Sequence, residues 1–220
     1  VDLIESKPIK NNIVYKAANL LKEAYSVKQG VRIELIKSIP EQKGLGGGSS
    51  DAASTLIGLS KFWNLNPSKD DLMEIALKLG SDVPFFMYGK TAWAKGRGEI
   101  LTEYPYKERY FLILFPNTKI STEYAFQEAE INLNSTITKE NFTTNRAFNS
   151  FEDWSRKTFL EIDKAFESLE NIGIPRLSGT GSTIFVEFSN LEDAKSAQLK
   201  NNNLVLTKTL ERSPLMQIIE

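Results

Sequence analysis

Pro40-Glu41-Gln42-Lys43-Gly44-Leu45-Gly46-Gly47-Gly48-Ser49-Ser50-Asp51-Ala52-Ala53 is the stretch from which the rest of the chain is read. Four glycines within five positions strip the Cβ atoms from a loop, so its backbone can take positive φ and lie directly against a ligand. Ala52, Ala53, Leu56, Ile57 and Ser60 then recur at helical spacing, so the loop opens into a helix N-terminus. That junction gathers unpaired N–H groups and the positive end of a helix dipole, which suits phosphate. Just upstream, Val31, Ile33 and Leu35 alternate with Arg32 and Glu34, with Lys37 nearby, as in a half-buried strand. Strand, glycine loop and helix together read as a nucleotide-phosphate cradle.

Neither common phosphate loop accounts for it. A Walker A loop carries Lys and then Ser or Thr after its last glycine, whereas Gly48 is followed by Ser49 and Ser50. Counted from Gly44 and Gly46, the third glycine of a dinucleotide fingerprint falls on Ser49. A Gly/Ser-rich flexible linker is the remaining reading, but linkers seldom separate an amphipathic strand from a strongly apolar helix.

The whole chain of 220 residues is 41% hydrophobic and 25% charged, which fits a globular protein of one large or two modest domains. Its 27 basic and 28 acidic residues leave a formal net charge of −1, favouring neither nucleic acid nor an anionic membrane. No apolar run approaches the roughly 18 residues of a membrane helix, and no signal peptide is visible. The absence of Cys excludes disulfides and thiolate chemistry, and the absence of His excludes imidazole bases and His-ligated metals. Proton transfer therefore falls to Asp, Glu, Lys, Tyr or water, with a carboxylate the leading candidate.

The opening Val1-Asp2-Leu3-Ile4-Glu5 reads like the tail of an element already under way. Asn11 and Asn12 offer an N-cap to a helix with an apolar stripe of Ile13, Ala17, Leu20, Leu21 and Ala24. Asn66-Pro67 ends the glycine-loop helix, Ser68 caps the next, and Gly80 closes it. In Gly80-Ser81-Asp82-Val83-Pro84-Phe85-Phe86, Pro84 biases Val83 toward an extended conformation, so Asp82 sits at a rigid bend. Two readings stay open for Asp82: a cap for the short turn carrying Phe85 and Phe86, or a general base fixed by that bend. Residues 91–102 read as a hairpin turning at Gly96-Arg97-Gly98, and Tyr110–Phe115 as a central strand. A boundary near 106 gives domains of 1–105 and 106–220. Ser121 starts a helix, 132–150 is an Asn/Thr-rich loop, and one helix is expected over about 151–170. A small-residue turn at 176–183 enters a strand over 184–188, followed by a helix near 190–199 and a strand over 204–207. The second half thus reads as an antiparallel sheet with helices on one face, an α+β sandwich.

Four blocks in this order resemble the GHMP kinase superfamily: Gly44–Ala53, Leu79–Phe86, Gly96–Leu101 and Leu177–Gly181. The resemblance covers essentially the whole chain. It implies an α+β fold of two domains. The first is like domain 2 of ribosomal protein S5, here incomplete at its start, and the second is a ferredoxin-like α/β sandwich. Within the superfamily the blocks are most similar to kinases that move the γ-phosphoryl group of ATP onto the 2-hydroxyl of a cytidine-diphosphate-linked methylerythritol, in the non-mevalonate route to isoprenoid precursors. By position, Pro40, Glu41, Gln42, Lys43, Gly44, Leu45, Gly46, Gly47, Gly48, Ser49 and Ser50 would hold the ATP phosphates, with Ser49 or Ser50 near Mg²⁺. Asn12 falls in the adenosine pocket, and Asp82 matches the catalytic Asp. Phe126 matches an aromatic that stacks on cytosine, and Thr122, Gly179, Thr180 and Gly181 join it around the substrate.

The family's opening Pro-Ala-Lys-Ile-Asn-Leu strand and its Gly-Tyr-His motif are not found in residues 1–220, and Lys10 stands in the wrong context to replace the family's lysine. The expectation is a family member without its N-terminal segment, poorly active as an isolated chain. The resemblance further implies a bacterial cytoplasmic or plastid enzyme, a monomer or weak homodimer, with a small-molecule substrate and neither nucleic acid nor membrane as partner. The alternatives are another GHMP small-molecule kinase and a catalytically impaired nucleotide-binding fragment.

Overall fold

The first helix grows from Asn12, whose side-chain oxygen accepts the Val14 N–H at 2.8 Å and so satisfies one orphan donor of α1 (Ile13–Ala24). α1 buries Val14, Ala17, Ala18 and Leu21, the spacing of a single helical stripe. It connects β1 (Asp2–Glu5) to β2 (Arg32–Leu35), which pair in parallel with Leu3 opposite Ile33 and Glu5 opposite Leu35. The opening residues, read from sequence as the tail of an element already under way, are a paired strand. The structure, a computed structural model, describes residues 1–5, 11–131, 138–139 and 148–219; Lys10 and most of the 132–150 loop lie outside these.

The chain divides into two units, the first of residues 1–40, 46–106 and 211–220 and the second of 41–45 and 107–210. A single cut at residue 106 does not describe this division. The C-terminal segment returns to the first unit because Lys90 and Arg212 form an antiparallel bridge and Ser213 N–H donates to the Gly89 carbonyl at 2.8 Å. α9 (Met216–Ile219) then seats Met216 against the Cα of Gly89.

In the first unit, α2 (Gly47–Phe62) packs on α1 and on α4 (Val83–Tyr88). Ala17 and Ala18 of α1 and Ala52 and Ala53 of α2 are fully buried, and such small side chains let helices approach closely. Leu56, Ile57, Ile75 and Val83 complete the core. α3 (Lys69–Leu79) starts with a capping box between Ser68 and Asp71. Gly80 closes it as the C-cap, in an extended conformation at φ 167, with its N–H donating to the Ala76 carbonyl. The segment after Asp82 is helical as well: Pro84 stands at the second position of α4, where a missing N–H leaves no helical bond unmade. β3 (Ala92–Lys95) and β4 (Ile100–Glu103) form the expected hairpin, with Trp93 opposite Thr102.

The second unit is a four-stranded antiparallel sheet in the order β6-β7-β5-β8. Its strands are β5 (Tyr110–Leu114), β6 (Pro175–Leu177), β7 (Ile184–Phe188) and β8 (Val205–Lys208). Leu112, Ile184 and Val186 pack from the sheet onto Ile162, Phe166 and Leu169 of α7 (Leu160–Leu169) and Ala197 of α8 (Leu191–Gln198). The helix expected over 151–170 is two helices, because Phe159 takes the extended angles φ −123, ψ 99 between α6 (Glu152–Thr158) and α7. The break lets the Trp154 and Phe159 rings meet edge to face at 5.6 Å, and Arg156 Nε spans it to Asp163 at 2.7 Å. α5 (Thr122–Glu128) is capped by Ser121, whose hydroxyl accepts the Tyr124 N–H.

Candidate active site

In the first unit the glycine loop ends at Gly46, which takes φ 65 and caps α2 with no side chain. The first helical bond here runs from Ser50 N–H to the Gly46 carbonyl at 2.9 Å, so the preceding amides of the turn point out of the helix with no helical acceptor. Gly48 is exposed, and Ser49 and Ser50 are half-buried in the same turn. The Lys37 ammonium pairs with Asp51 at 2.5 Å and stands beside Gly47, where a Cβ would lie 3.6 Å from its Nζ. A fixed Lys37–Asp51 ion pair thus stands beside the start of α2.

Asp82 is exposed at the N-cap position of α4, and its side chain caps nothing, so the capping reading fails. Phe86 lies one turn further along α4, on the same face as Asp82. Its ring covers Gly46 so closely that a Cβ there would come within 2.8 Å of it. That contact holds the first turn of α4, and Asp82 with it, beside the first turn of α2. Support from behind comes from the hairpin: Gly98, at φ 112, leaves no room for a Cβ against the Ser81 carbonyl, and Glu99 accepts the Arg97 N–H at 2.6 Å to close the turn. The Gly96–Leu101 block is thereby explained as a brace for the residue preceding Asp82.

Asn12 is buried; besides capping α1 it donates to the Glu5 carboxylate, so both ends of its amide are engaged. Among the described residues no group of three or more acidic side chains converges on a metal position. Ser49 and Ser50 fit Mg²⁺ as hard oxygen donors only where phosphate supplies the other ligands, the usual arrangement for that ion.

The second unit holds Glu41–Leu45. Pro40, Glu41 and Gln42 are exposed, and Gln42 takes φ 56. Gly44, at φ 69, sits against the 177–183 turn, where a Cβ would meet the Ser178 carbonyl at 2.1 Å; the Ser178 hydroxyl donates to the Gly44 carbonyl at 2.9 Å. Gly179 and Gly181 both have positive φ, and Thr180 is buried between them. Within the second unit, Gly44 and the Leu177–Gly181 turn are therefore in direct contact. Thr122 and Phe126 share a face of α5, and the exposed Phe126 ring meets Phe151 edge to face at 4.9 Å. Asn149 links this region to the turn by donating to the Leu177 and Gly179 carbonyls at 3.0 and 2.7 Å.

Two residues lie beyond the reach of sequence reasoning. Lys37 is noted there only as a neighbour, and its pairing with Asp51 across fourteen residues has no local signature. Lys43 is assigned to nucleotide contact with the rest of the loop, yet its ammonium is enclosed within the second unit.

A glycine-capped helix start with a carboxylate beside it in one unit, and an antiparallel α/β sandwich in the other, are features of the GHMP kinase type. The family of GHMP kinases N terminal domains matches residues 12–90, and that of GHMP kinases C terminal domains matches residues 138–205. The chain belongs to the GHMP kinase superfamily. It is 39% identical over 179 residues to the 4-diphosphocytidyl-2-C-methyl-D-erythritol kinase of Pseudoalteromonas translucida, covering 81% of this chain and 63% of that protein. The kinase of the same name from Psychromonas ingrahamii is 36% identical over 220 residues, covering 98% of this chain and 78% of the relative. A crystal structure of 4-(cytidine 5'-diphospho)-2C-methyl-D-erythritol kinase superposes with a TM-score of 0.72 at 30% identity, over 94% of this chain and 82% of that one. A mevalonate kinase, at 13% identity and a TM-score of 0.65, shares the fold.

Proposed function

We propose that the protein transfers the γ-phosphoryl group of ATP to the 2-hydroxyl of 4-diphosphocytidyl-2-C-methyl-D-erythritol. The observation that carries this reading is the Phe86 ring on Gly46, which keeps an uncapped carboxylate beside an uncapped, glycine-lined helix start. Phosphoryl transfer draws most of its catalysis from positioning and charge neutralisation. The amides of the Gly46–Ser50 turn and the α2 dipole supply positive potential for the phosphates. Asp82 accepts the proton of the attacking hydroxyl as its oxygen bonds to the γ-phosphorus and ADP leaves. Mg²⁺, bound with ATP near Ser49 or Ser50, supplies further screening of the phosphate charge. Phe126 stacks on the cytosine ring, with Thr122 on the same face of α5 and Gly179–Gly181 beside the nucleotide loop.

The relatives' name and the identity with them favour this acceptor over other GHMP substrates. Among the described residues no helix is long and apolar enough to cross a membrane. A bacterial cytoplasmic or plastid setting and a monomeric or weakly dimeric state are part of the same proposal. The test is Asp82→Asn in the full-length protein, with ADP release followed on the cytidine-diphosphate-linked substrate, homoserine and mevalonate. Turnover should fall by about 10²–10⁴-fold on the first substrate, while ATP affinity stays within about twofold. An unchanged rate would remove Asp82 from catalysis, and faster turnover of either other acceptor would replace the substrate.

A further inference from the structure

A lysine inside a phosphate loop is ordinarily read as a ligand for the phosphates. Lys43 does something else. It is 6% exposed, and its Nζ donates to the carbonyls of Pro116 and Thr118 and to the Ser182 hydroxyl, at 2.7 Å for Thr118 and 3.3 Å for Ser182. All three partners are neutral oxygens, and all are themselves held. The Glu161 carboxylate accepts the Asn117 and Thr118 N–H groups at 2.7 and 3.0 Å, and the Ser182 hydroxyl donates to the Thr118 carbonyl. The socket for the ammonium is thus built before the lysine enters it.

The main chain around Lys43 is tied to the same place. The Gln42 carbonyl accepts the Ile120 N–H at 3.3 Å, and the Lys43 carbonyl accepts the Thr183 N–H at 3.2 Å. Gln42, a residue with a Cβ, is held at φ 56 in the left-handed region, which only surrounding structure sustains. Burial lowers the Lys43 pKa from its ordinary value, an effect that the nearby Glu161 charge opposes. The Lys43 and Glu161 charges act on one another, and a buried charge of this kind is weak evidence for added stability, so the role argued for it is to fix the register of the chain that carries it. Two residues later Leu45 hands the chain to Gly46, the cap of α2.

We infer that Lys43 is a positioning residue for nucleotide binding: its buried ammonium fixes Glu41–Leu45, the first half of the glycine loop, in the conformation in which this stretch meets ATP. This rests on the reading of the loop as the ATP site. The test is ATP affinity by calorimetry, with steady-state kinetics, on the full-length protein carrying Lys43→Met, Lys43→Arg or Ser182→Ala. Lys43→Met should raise the ATP Kd and KM by about tenfold, equivalent to about 1.4 kcal/mol, and leave the acceptor KM within about twofold. The ratio to wild type should be the same at low and high salt, because the charge is buried. Lys43→Arg should be as weak as Lys43→Met, since a planar guanidinium does not fit a socket shaped for a compact ammonium. Ser182→Ala, which removes one acceptor and leaves the lysine, should weaken ATP by about threefold and serves if Lys43→Met does not fold. A Lys43→Arg protein like wild type, or a Lys43→Met defect that fades with salt, would make Lys43 a phosphate ligand and overturn the inference. Unchanged ATP affinity in Lys43→Met or Ser182→Ala would do the same. A wild-type protein that fails to bind ATP would sink the functional reading instead.

Discussion

Gly48→Ala separates the needs of the fold from those of the ligand. Gly48 is exposed in the first turn of α2, and a Cβ there would meet only Ile13 Cγ2, at 3.7 Å. Nothing in the protein opposes the methyl group. Alanine loses less backbone entropy than glycine in a helix, so the variant should gain about 0.5 kcal/mol and melt about 1–2 °C higher. If phosphate oxygens lie against this turn, the same methyl group occupies their place. Losing one hydrogen bond to a charged ligand, worth about 1.5–3 kcal/mol, weakens ATP by about 10- to 150-fold. Gly58→Ala is the internal control: it lies in the same helix, and its Cβ would have nothing within 4 Å. It should raise the melting temperature in the same way without changing ATP affinity. The assay is a thermal melt of each variant with and without ATP and Mg²⁺, paired with calorimetric titration. The two alanines should agree in the absence of nucleotide and part in its presence. If Gly48→Ala binds ATP as tightly as Gly58→Ala, the phosphates are not on these amides, and the cradle reading of the loop is refuted.

Gly44→Ala should behave in the opposite way, because φ 69 and a carbonyl 2.1 Å from the new Cβ leave no room for it. A loss of about 3 kcal/mol is expected from strain and overpacking together, read as a lower urea midpoint even without nucleotide. Phe166→Ala, at a ring only 1% exposed, should cost about 3–5 kcal/mol in the same measurement through the cavity it leaves. Glu161 gives a pH signature. The Thr118 hydroxyl first, and then the Asn117 N–H, hold its carboxyl below the ordinary 4.5. A depressed carboxylate pKa stabilises the fold above the unfolded value and stops doing so as pH falls through the folded one. The stability gap between wild type and Glu161→Gln should therefore be full at neutral pH and close progressively below 4.5. A gap that stays constant with pH would show that the carboxylate charge is not what holds Asn117 and Thr118.

Much of the fold is legible because its signals are local. Ser68 with Asp71, Ser121 before Tyr124, and the apolar periods of α1, α2 and α7 each predict an element from a few adjacent residues. The misreadings share a cause in tertiary structure. The break at Phe159 interrupts an unbroken apolar period and is repaid by the packing of its own ring on Trp154. Pro84 reads as biasing Val83 toward an extended conformation, but its effect depends on where the helix begins, and here it stands in the first turn of α4, which Val83 opens.

The candidate site divides along the same line. Gly44 to Ser50 can be found from composition alone, since few uses other than close backbone approach call for so many missing side chains. The purpose of each glycine cannot: Gly44 makes room for a carbonyl, Gly46 for the Phe86 ring, and Gly48 for nothing within the protein. Only the last of these leaves its space for a ligand to fill. The reverse holds for the charged residues. Lys43, placed by sequence among the groups that would meet phosphate, is turned inward, whereas Lys37, outside the loop, stands beside Gly47. Residue type announces which chemistry is available; which way the side chain faces is decided by oxygens at positions 116, 118 and 182. Those lie more than seventy residues from Lys43, so no window of local sequence contains them.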